Sequence, residues 1–309
     1  MTNIHYDSEH DEAQRREHLY AGDIYIYSPT PSSKKLCEFA GELARKAFDP
    51  WSPVEAQHHL PVEQYIEILK SLKPNFIHHE ECKRLLPQML AELGCDSDST
   101  YFDVPRLRTA CSGDYLSTGM AYAFKPHRDT WYSPPMSQIN WWTPVFPICS
   151  ENGMAFHPEY WDKPVRNDSI RFNYQDWNRV GRVQAKNQPA SKDTRFQTAA
   201  LDILELDQDV RLTCPPGGVI VFAAAHLHST VRNTSGRTRF SIDFRTVDSR
   251  DIASNVGAPN VDSESTGTTL MDYMRASDLV HFDDAEIERY MHLQRTALFP
   301  NGLLLEEAH

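Results

Sequence analysis

The stretch GGVIVFAAAHLHSTV at residues 217–231 and the run TRFSIDFRTV at residues 238–247 indicate the fold class of this chain. Both are short and rich in β-branched and aromatic residues, and Asn, Ser and Gly lie between them, which is the pattern of strands joined by a turn. Runs of the same texture precede them at 101–110, 119–129, 137–148 and 209–214. Short strands without helices between them predict a barrel or a sandwich of sheets.

Residues 1–100 have helical rather than β-type patterning. GDIYIY at 22–27 predicts one short strand, and the apolar residues that follow it recur at a spacing of about 3.6, which predicts a helix ending before Pro50. Two more helices are expected, one after Pro61 and one over 80–93. We therefore predict an N-terminal helical extension that packs on the strands.

The strands at 101–250 are expected to form the core of the protein. They are interrupted at 158–200 by an aromatic and polar insertion that is too long for an ordinary connection, so we expect a loop or lid with a short helix near 174–180. Residues 251–309 are expected to form a linker and a C-terminal helix over 283–297. The chain is therefore expected to be one domain with extensions.

The net charge of the chain argues against a long nucleic acid as a binding partner. Its 31 Lys and Arg face 43 Asp and Glu, a net charge of −12, whereas binding a long nucleic acid needs a surplus of cations to neutralise phosphates. No apolar run reaches the roughly 18 residues of a membrane span, and the charged N-terminus lacks a signal-peptide pattern. The six cysteines are scattered without a C-x-x-C pair. We expect no membrane, no long nucleic acid and a cytoplasmic location.

Two histidine-containing segments predict a metal site. His127 and Asp129 are two residues apart, so in an extended segment both side chains point to the same face. His226 and His228 share a face of the predicted strand in the same way, 97 and 99 residues after Asp129. Two His and one carboxylate on one face of a metal make the arrangement of non-haem Fe(II) oxygenases, which leaves positions open for a bidentate 2-oxo acid and dioxygen.

An arginine follows each of these two histidines at the same distance. Arg239 lies eleven residues after His228, and Arg237 lies eleven residues after His226. A buried guanidinium in the next strand would be a bidentate partner for the far carboxylate of a bound oxo-diacid. Spacing alone does not choose between the two pairs.

In combination, these segments resemble the phytanoyl-CoA-dioxygenase-like branch of the Fe(II)/2-oxoglutarate-dependent oxygenases. The His-x-Asp segment of that family is similar to PHRDTWY at 126–132, and its apolar strand with the following turn is similar to INWWTPVFPICSENGMAFHPEYW at 139–161. Its distal segment has His, then Asn five residues later, then Arg eleven residues after the His. The matching residues are His228, Asn233 and Arg239. The resemblance covers about residues 100–248.

The resemblance implies a fold and a chemistry. The fold would be α+β with a mainly β core, the double-stranded β-helix, which is a jelly-roll or cupin-like arrangement. Fe(II) would be bound by His127, Asp129 and His228, and 2-oxoglutarate by Arg239 and Thr230. Oxidation of an unactivated C–H bond by O2 would then release succinate and CO2. Halogenating relatives have a small residue in place of Asp129, so its presence favours hydroxylation and leaves desaturation, ring closure or epimerisation open.

Strand parity predicts which side chains face a substrate beside the metal. The residues on that side combine amides, aromatic rings and cations. The candidates are Lys125, Trp131, Gln138, Asn140, Trp142, His226 and Arg245. Such a set suits a small polar or anionic metabolite, of amino acid, sugar acid or nucleotide type, better than an acyl chain. Core packing is the alternative for the aromatic rings.

Two other functions fit part of the same pattern. A cupin-type metal enzyme could use the same fold and metal ligands without 2-oxoglutarate, and it would not need Arg239. A non-catalytic binding protein could keep the fold without turnover, although His127, Asp129 and His228 would then be free to change. The sequence leaves the oligomeric state open.

Overall fold

A computed structural model describes residues 1–113, 115–117, 119–121, 125–185, 196–206 and 208–298 of the chain. Its helices are α1 (Glu12–Tyr20), α2 (Pro31–Phe48), α3 (Val62–Ile77), α4 (Glu80–Glu92), α5 (Tyr174–Ala185), α6 (Ser249–Ser254) and α7 (Asp284–Leu298). Its strands are β1 (Ile4–Tyr6), β2 (Ile24–Tyr27), β3 (Thr100–Phe102), β4 (Arg106–Ala110), β5 (Ile139–Pro144), β6 (Met154–Phe156), β7 (Val210–Leu212), β8 (Val219–Ala223), β9 (His228–Thr230), β10 (Arg239–Asp248) and β11 (Met274–Arg275).

The strands form two sheets. The larger sheet has the order β1-β2-β8-β5-β10-β3-β11, with β4 also paired to β10, and the smaller sheet has the order β7-β6-β9. Strand β10 is central, because it pairs with β5 along one side and with β3 and β4 along the other. The architecture is α+β with a mainly β core, and the described strands do not close into a barrel.

Successive side chains of β8 pack into two different hydrophobic clusters, one on each face of the larger sheet. Val219 and Val221 pack with the helices, whereas Ile220 and Phe222 pack with residues of the smaller sheet such as Phe156. Successive side chains of a strand point to opposite faces, so a strand that is apolar throughout must be covered on both sides. The larger sheet therefore has helices on one face and the smaller sheet on the other.

The helices α2, α3 and α4 cover the outer face with apolar stripes. α2 follows a capping box between Thr30 and Ser33, which satisfies the first backbone N–H groups of the helix. Leu36 of α2, Leu69 of α3 and Leu85 of α4 are fully buried in one cluster with the larger sheet. None of the described helices combines the length with the apolar composition that crossing a membrane requires.

Most of the predicted elements are present. The expected strand at 22–27 is β2, the three expected N-terminal helices are α2, α3 and α4, and the expected closing helix is α7. The sequence interpretation overlooked β1 and α1, which lie in the polar N-terminal segment. α1 begins with a capping box between Asp11 and Gln14, but it buries few apolar side chains and so gives a weak period. Because β1 and β2 join the larger sheet, the predicted division near residues 100 and 250 stays a prediction.

The prediction of one continuous strand over 217–231 is wrong. The chain leaves the larger sheet at the end of β8 and enters the smaller sheet as β9, with a turn between them. Arg128 stabilises this break, because its buried guanidinium donates a hydrogen bond to the carbonyl of Ala225. His226 and His228 therefore do not share a strand face.

The segment around the first predicted ligands is not extended throughout either. His127 forms an isolated antiparallel bridge with His228, and the backbone N···O distances of this bridge are both 3.0 Å. Asp129 then begins a short 3-10 turn, Asp129–Tyr132. The side chains of His127 and Asp129 meet because of this turn rather than through strand parity.

The insertion and the predicted linker both pack on the core. The insertion at 158–200 contains the helix expected near 174–180, which is α5 and extends to Ala185, and residues 186–195 lie outside the described residues. The predicted linker after residue 250 contributes Asp262, whose carboxylate accepts hydrogen bonds from Arg128 Nε (3.0 Å) and Trp131 Nε1 (2.7 Å). This segment is therefore fixed beneath the turn that carries Asp129. The role of the insertion as a lid stays a prediction.

Candidate metal centre

The turn at residues 127–129 and the start of β9 bring three potential metal ligands together. Nε2 of His127 lies 3.3 Å from Oδ1 of Asp129, and Nε2 of His228 lies 3.9 Å from the same oxygen. The ligand atoms of the three residues all lie within 4.8 Å of one another. Adjacent ligands bonded to one metal at about 2.1 Å are about 3 Å apart. Small side-chain adjustments would therefore let all three bind one ion.

Both imidazoles are oriented by the same local contact. Nδ1 of His127 is 2.8 Å from the carbonyl oxygen of Lys125, and Nδ1 of His228 is 3.0 Å from that of His226. A carbonyl oxygen only accepts, so each Nδ1 carries a proton and each ring is fixed with its Nε2 directed at the centre. The two rings are thus prepared as ligands by the backbone itself.

Asp129 is held as a carboxylate. Nε2 of Gln138 approaches its Oδ2 at 3.4 Å, and the guanidinium of Arg245 lies 3.8 Å from that oxygen. Burial opposes ionisation, but the hydrogen bond with His127 and the charge of Arg245 outweigh it and hold the pKa of Asp129 well below its usual range. Burial lowers the pKa of His228 to about 4, so this imidazole is neutral at pH 7.

Arg239 of β10 is a buried cation without a counter-ion among the described residues. Its NH1 donates to the carbonyl oxygens of Gly153 (2.8 Å) and Asn152 (3.2 Å), and its guanidinium lies over the ring of Trp142. Its Nε has no hydrogen-bond partner among these residues. Burial lowers the pKa of Arg239 to about 10, which leaves it charged at pH 7. A buried charge of this kind favours an anionic ligand. Arg237, in contrast, is exposed.

A cavity of about 420 Å³ is lined both by the three candidate metal ligands and by Arg239. Most of the residues predicted for the site line this cavity. They are His127, Asp129, Gln138, Asn140, Trp142, His228, Thr230, Arg239 and Arg245.

Three of the predicted substrate residues lie outside the cavity lining. Lys125 is exposed, and only its carbonyl oxygen takes part, as the acceptor for His127. Trp131 is fully buried and donates its indole N–H to Asp262. His226 is fully buried beside the ring of Trp161 at 4.6 Å. Burial lowers the pKa of His226 to about 3.

The sequence interpretation missed a network of charges on the cavity wall. Nε of Arg108 donates to Asp243 at 2.7 Å, and NH1 of Arg106 donates to Asp103 at 2.6 Å. Arg245 links the two pairs, because its guanidinium lies 3.3 Å from Asp103 and 3.7 Å from Asp243. The alternation of Arg and Leu in β4 indicated that the two arginines share one face of the strand. Only the pairing of β4 with β10 shows that this face borders the cavity.

Tyr273, from the segment before α7, contacts the candidate metal centre indirectly, through the side-chain amide of Gln138. Its hydroxyl donates to Oε1 of Gln138 at 2.7 Å, and Nε2 of the same amide donates to Oδ1 of Asn140 at 2.8 Å. Because Oε1 is occupied by the tyrosine hydroxyl, the amide turns its N–H₂ towards Asp129. No local sequence pattern identifies this contact.

The insertion contributes an aromatic wall to the cavity. Phe172, Tyr174 and Trp177 line it together with Tyr132 of the turn. The rings of Tyr132 and Phe172 meet edge to face at 5.3 Å between centroids. The insertion therefore borders the cavity near the centre.

Comparisons with known proteins give partial structural overlaps. No family profile matches the sequence, and no curated protein matches it. EvdO2 from Micromonospora carbonacea var. aurantiaca is 15% identical over 79% of this chain and 93% of its own, with a TM-score of 0.42. AviO1 from Streptomyces viridochromogenes Tue57 is 14% identical over 82% and 99%, with a TM-score of 0.40. SnoN from nogalamycin biosynthesis, a non-heme alpha ketoglutarate dependent epimerase, is 12% identical over 77% and 84%, with a TM-score of 0.37.

All three TM-scores are below 0.5, so these overlaps carry no inference about the chemistry of this chain. The resemblance to the phytanoyl-CoA-dioxygenase-like family also stays a prediction, because no family profile matches.

Proposed function

We propose that this chain is a non-haem Fe(II)- and 2-oxoglutarate-dependent oxygenase that hydroxylates a small polar or anionic metabolite. The observation that carries the proposal is that one cavity is lined both by a His-Asp-His triad and by a buried arginine whose Nε has no hydrogen-bond partner among the described residues. The triad suits Fe(II), and the arginine suits a carboxylate. Together they match a co-substrate that chelates the metal at one end and carries a second carboxylate at the other.

Each of these residues would have a separate task. His127, Asp129 and His228 would hold Fe(II) on one face, and Arg239 would pair with the far carboxylate of 2-oxoglutarate, assisted by the hydroxyl of Thr230. When bound, iron and 2-oxoglutarate supply the oxidation of a C–H bond by O2, with succinate and CO2 as the other products. The carboxylate of Asp129 occupies the position that a halide would need, which supports hydroxylation.

The way Arg239 is held supports its role as the anchor. Its NH1 is fixed by two backbone carbonyls and its Nε is buried without a partner among the described residues, so donors remain for a carboxylate in a water-poor site. A charge held in place before binding loses little freedom when the ligand arrives. Exposed Arg237 offers no such environment.

We also propose that the two sheets form a double-stranded β-helix of the phytanoyl-CoA-dioxygenase-like type. The amide of Asn233 supports this assignment, because it donates to the carbonyls of Ala110 (2.9 Å) and Arg237 (2.7 Å). These contacts shape the turn from β9 to β10. The His-Asn-Arg spacing would then combine a ligand, a turn former and an anchor.

The cavity supports a small and polar substrate. Its volume of about 420 Å³ would have to contain both 2-oxoglutarate and the substrate. Arg106, Arg108 and Arg245 line it with the carboxylates that pair with them, and the amides of Gln138 and Asn140 add further hydrogen-bonding groups. An amino acid, sugar acid or nucleotide-type metabolite fits this lining better than an acyl chain.

The two alternatives make different use of Arg239. A cupin-type enzyme without 2-oxoglutarate would have no need for a buried cation at that place. A non-catalytic binding protein would have no need for two imidazoles whose Nε2 atoms both face one carboxylate. The geometry therefore favours the oxygenase over both.

The test is an anaerobic titration with Fe(II) followed by 2-oxoglutarate, monitored by the weak visible charge-transfer band of a chelated 2-oxo acid. We expect the band in the wild-type protein. In Arg239→Ala we expect Fe(II) affinity to be retained and 2-oxoglutarate affinity to fall by at least about 30-fold, because losing one partner of a buried charge pair costs about 2–5 kcal/mol.

Arg237→Ala is the matched control, since it removes an exposed arginine two residues away. It should behave like the wild-type protein. Asp129→Ala should neither bind Fe(II) nor produce the band. Fe(II) binding without the band in the wild-type protein would favour the cupin-type alternative, and absence of Fe(II) binding would disprove the metal centre.

A further inference from the structure

Three imidazoles and a carboxylate meet at the N-terminal edge of the larger sheet. We call His5, His10, His18 and Asp23 the N-terminal histidine cluster. They come from β1, the loop before α1, α1 itself and the residue that precedes β2. None of them lines the cavity beside the candidate metal centre. The cluster is therefore a separate feature of the molecule.

The ligand atoms of the cluster have metal-site spacing. Nε2 of His5 lies 2.7 Å from Oδ2 of Asp23, and Nδ1 of His18 lies 4.0 Å from the same oxygen. The ligand atoms of these three residues all lie within 4.8 Å of one another. Ligands of a tetrahedral zinc ion with bonds of about 2.0–2.1 Å are about 3.4 Å apart. The two distances lie on either side of that value, so each side chain would have to move by less than about 1 Å.

Asp23 is held in the orientation that a metal ligand needs. Its side chain is 9% exposed, and its Oδ1 accepts hydrogen bonds from the backbone N (2.9 Å) and the side-chain Nδ2 (3.1 Å) of Asn3. Nδ2 of Asn3 also donates to Oδ2 at 3.3 Å, and Oδ2 is the oxygen that faces His5 and His18. Carboxylate ligands in metal sites are commonly fixed by hydrogen bonds to the second oxygen in this way.

The hydroxyl of Tyr25 brings the third imidazole into the cluster. It lies 2.8 Å from Nδ1 of His10 and 3.0 Å from Nδ1 of His18. A phenol can donate one proton and accept another, so both contacts can be hydrogen bonds, with one Nδ1 accepting and the other donating. The ring centroids of His10 and His18 are 4.6 Å apart, so His10 lies beside the other imidazoles of the cluster.

We propose that the N-terminal histidine cluster binds a zinc-type divalent cation through His5, His18 and Asp23, with His10 beside the site. Imidazole nitrogens with one carboxylate suit zinc and similar borderline ions, whereas calcium and magnesium prefer oxygen ligands. The ion would tie the edge strand β1 to α1 and β2. The site would thus be structural, because the ion would join three separate segments of the chain.

The test is a zinc titration of the full chain, without a purification tag, in competition with a chromophoric chelator. The parent is Asp129→Ala/His228→Ala, which lacks two ligands of the candidate metal centre. We expect this parent to bind one zinc ion per chain. We expect His18→Gln or His5→Gln in the same background to weaken zinc binding by at least about tenfold, because each removes a ligand.

His78→Gln is the control, because His78 is exposed and outside the cluster. It should bind zinc like the parent. Co(II) in place of zinc should give the intense visible bands of a four-coordinate ion in the parent and weaker bands in the cluster variants. Circular dichroism checks folding. If His18→Gln does not fold, the result for His5→Gln, on the edge strand, decides the test. Equal zinc affinity in the parent and a folded cluster variant would overturn the proposal, as would absence of zinc binding by the parent.

Discussion

At the scale of single residues, the two histidines near the end of β8 differ in what surrounds their rings. His228 has its Nδ1 fixed by a carbonyl and its Nε2 beside Asp129. The ring nitrogens of His226 make no hydrogen bond of ordinary geometry among the described residues, and the ring packs near Trp161 and Phe156. The contribution of His226 to the proposed centre is therefore its backbone carbonyl, which any residue would supply.

This difference predicts opposite results for two matched variants. His226→Leu should retain Fe(II) affinity and change the free energy of unfolding by less than about 1.5 kcal/mol, because an apolar side chain replaces a buried polar group without partners. His228→Leu should lose Fe(II) binding. Fe(II) titration and urea unfolding measure both effects. Loss of iron in His226→Leu but not in His228→Leu would reverse the ligand assignment.

At the scale of elements, the C-terminal segment orients the carboxylate of the candidate centre. Tyr273 holds Gln138, which in turn faces Asp129. Burial raises the pKa of Tyr273 well above its usual value, so its hydroxyl stays a donor. The segment predicted as a linker and closing helix thus takes part in shaping the site.

Tyr273→Phe tests this contact. We expect Fe(II) affinity to fall by about tenfold or more, as is typical when a group that orients a metal ligand is removed. Tyr290→Phe in α7 is the control, because its hydroxyl contacts Met136 and Gln294 and does not line the cavity. Isothermal titration with Fe(II) under anaerobic conditions compares the two. Equal affinity in both variants would show that Gln138 is positioned without the tyrosine.

A second element-scale contact joins α1, α6 and the loop before β3. The carboxylate of Asp248, at the end of β10, is 3.1 Å from Arg16 and 2.6 Å from Arg250 and accepts a hydrogen bond from Ser99. Burial opposes its ionisation, but the hydrogen bond and charge of Arg250 and the charge of Arg16 outweigh it and lower the pKa of Asp248. Its side chain is only 2% exposed.

Asp248→Asn should lower the free energy of unfolding by about 1–3 kcal/mol at pH 7, because it removes a buried carboxylate from its charged contacts with Arg16 and Arg250. A carboxylate with a lowered pKa stabilises fully above its unfolded pKa of about 3.9 and loses this effect as the pH falls through the folded value. The difference from wild type should therefore shrink below about pH 4. Urea unfolding at pH 7 and pH 3 measures it, and Asp176→Asn, at an exposed pair with Arg179, should show little change at either pH. A difference that stays constant with pH would contradict the ionic explanation.

For the molecule as a whole, the helices α2, α3 and α4 lie on one face of the larger sheet and the candidate site lies on the other. Apolar side chains of α2, α3 and α4 fill one face, and the cavity lies on the side of the smaller sheet. The helical layer is therefore expected to supply stability rather than chemistry. Lys73 of α3 is an exception, because it reaches the cavity lining.

Leu85→Ala in α4 tests this separation. It should lower the free energy of unfolding by about 2–5 kcal/mol, because it leaves a cavity in a fully buried layer. Fe(II) and 2-oxoglutarate affinities of the folded protein should not change. Leu201→Ala, at an exposed leucine, is the control for stability. Weaker 2-oxoglutarate binding in Leu85→Ala would show that the helical layer shapes the cavity.

Local patterns in the amino-acid sequence predicted most of the elements and the types of donor group. Helical spacing predicted α2, α3 and α4, β-type runs predicted a mainly β core, and the motif spacing singled out His127, Asp129, His228 and Arg239 as candidates. These signals are local, because a helix or strand repeats its buried face every few residues. Parity along β10 and β5 also pointed Arg239, Arg245, Gln138 and Asn140 towards one cavity.

Which side chains come into contact depends on packing between segments that are distant in the chain. The break between β8 and β9 turns His226 away from the cavity, and Arg128 supports that break through Asp262, 134 residues later. The pairing of Arg108 with Asp243 and of Tyr273 with Gln138 also joins residues 135 apart in each case. Such contacts depend on how strands and loops pack across the core, and no local repeat in the sequence encodes them.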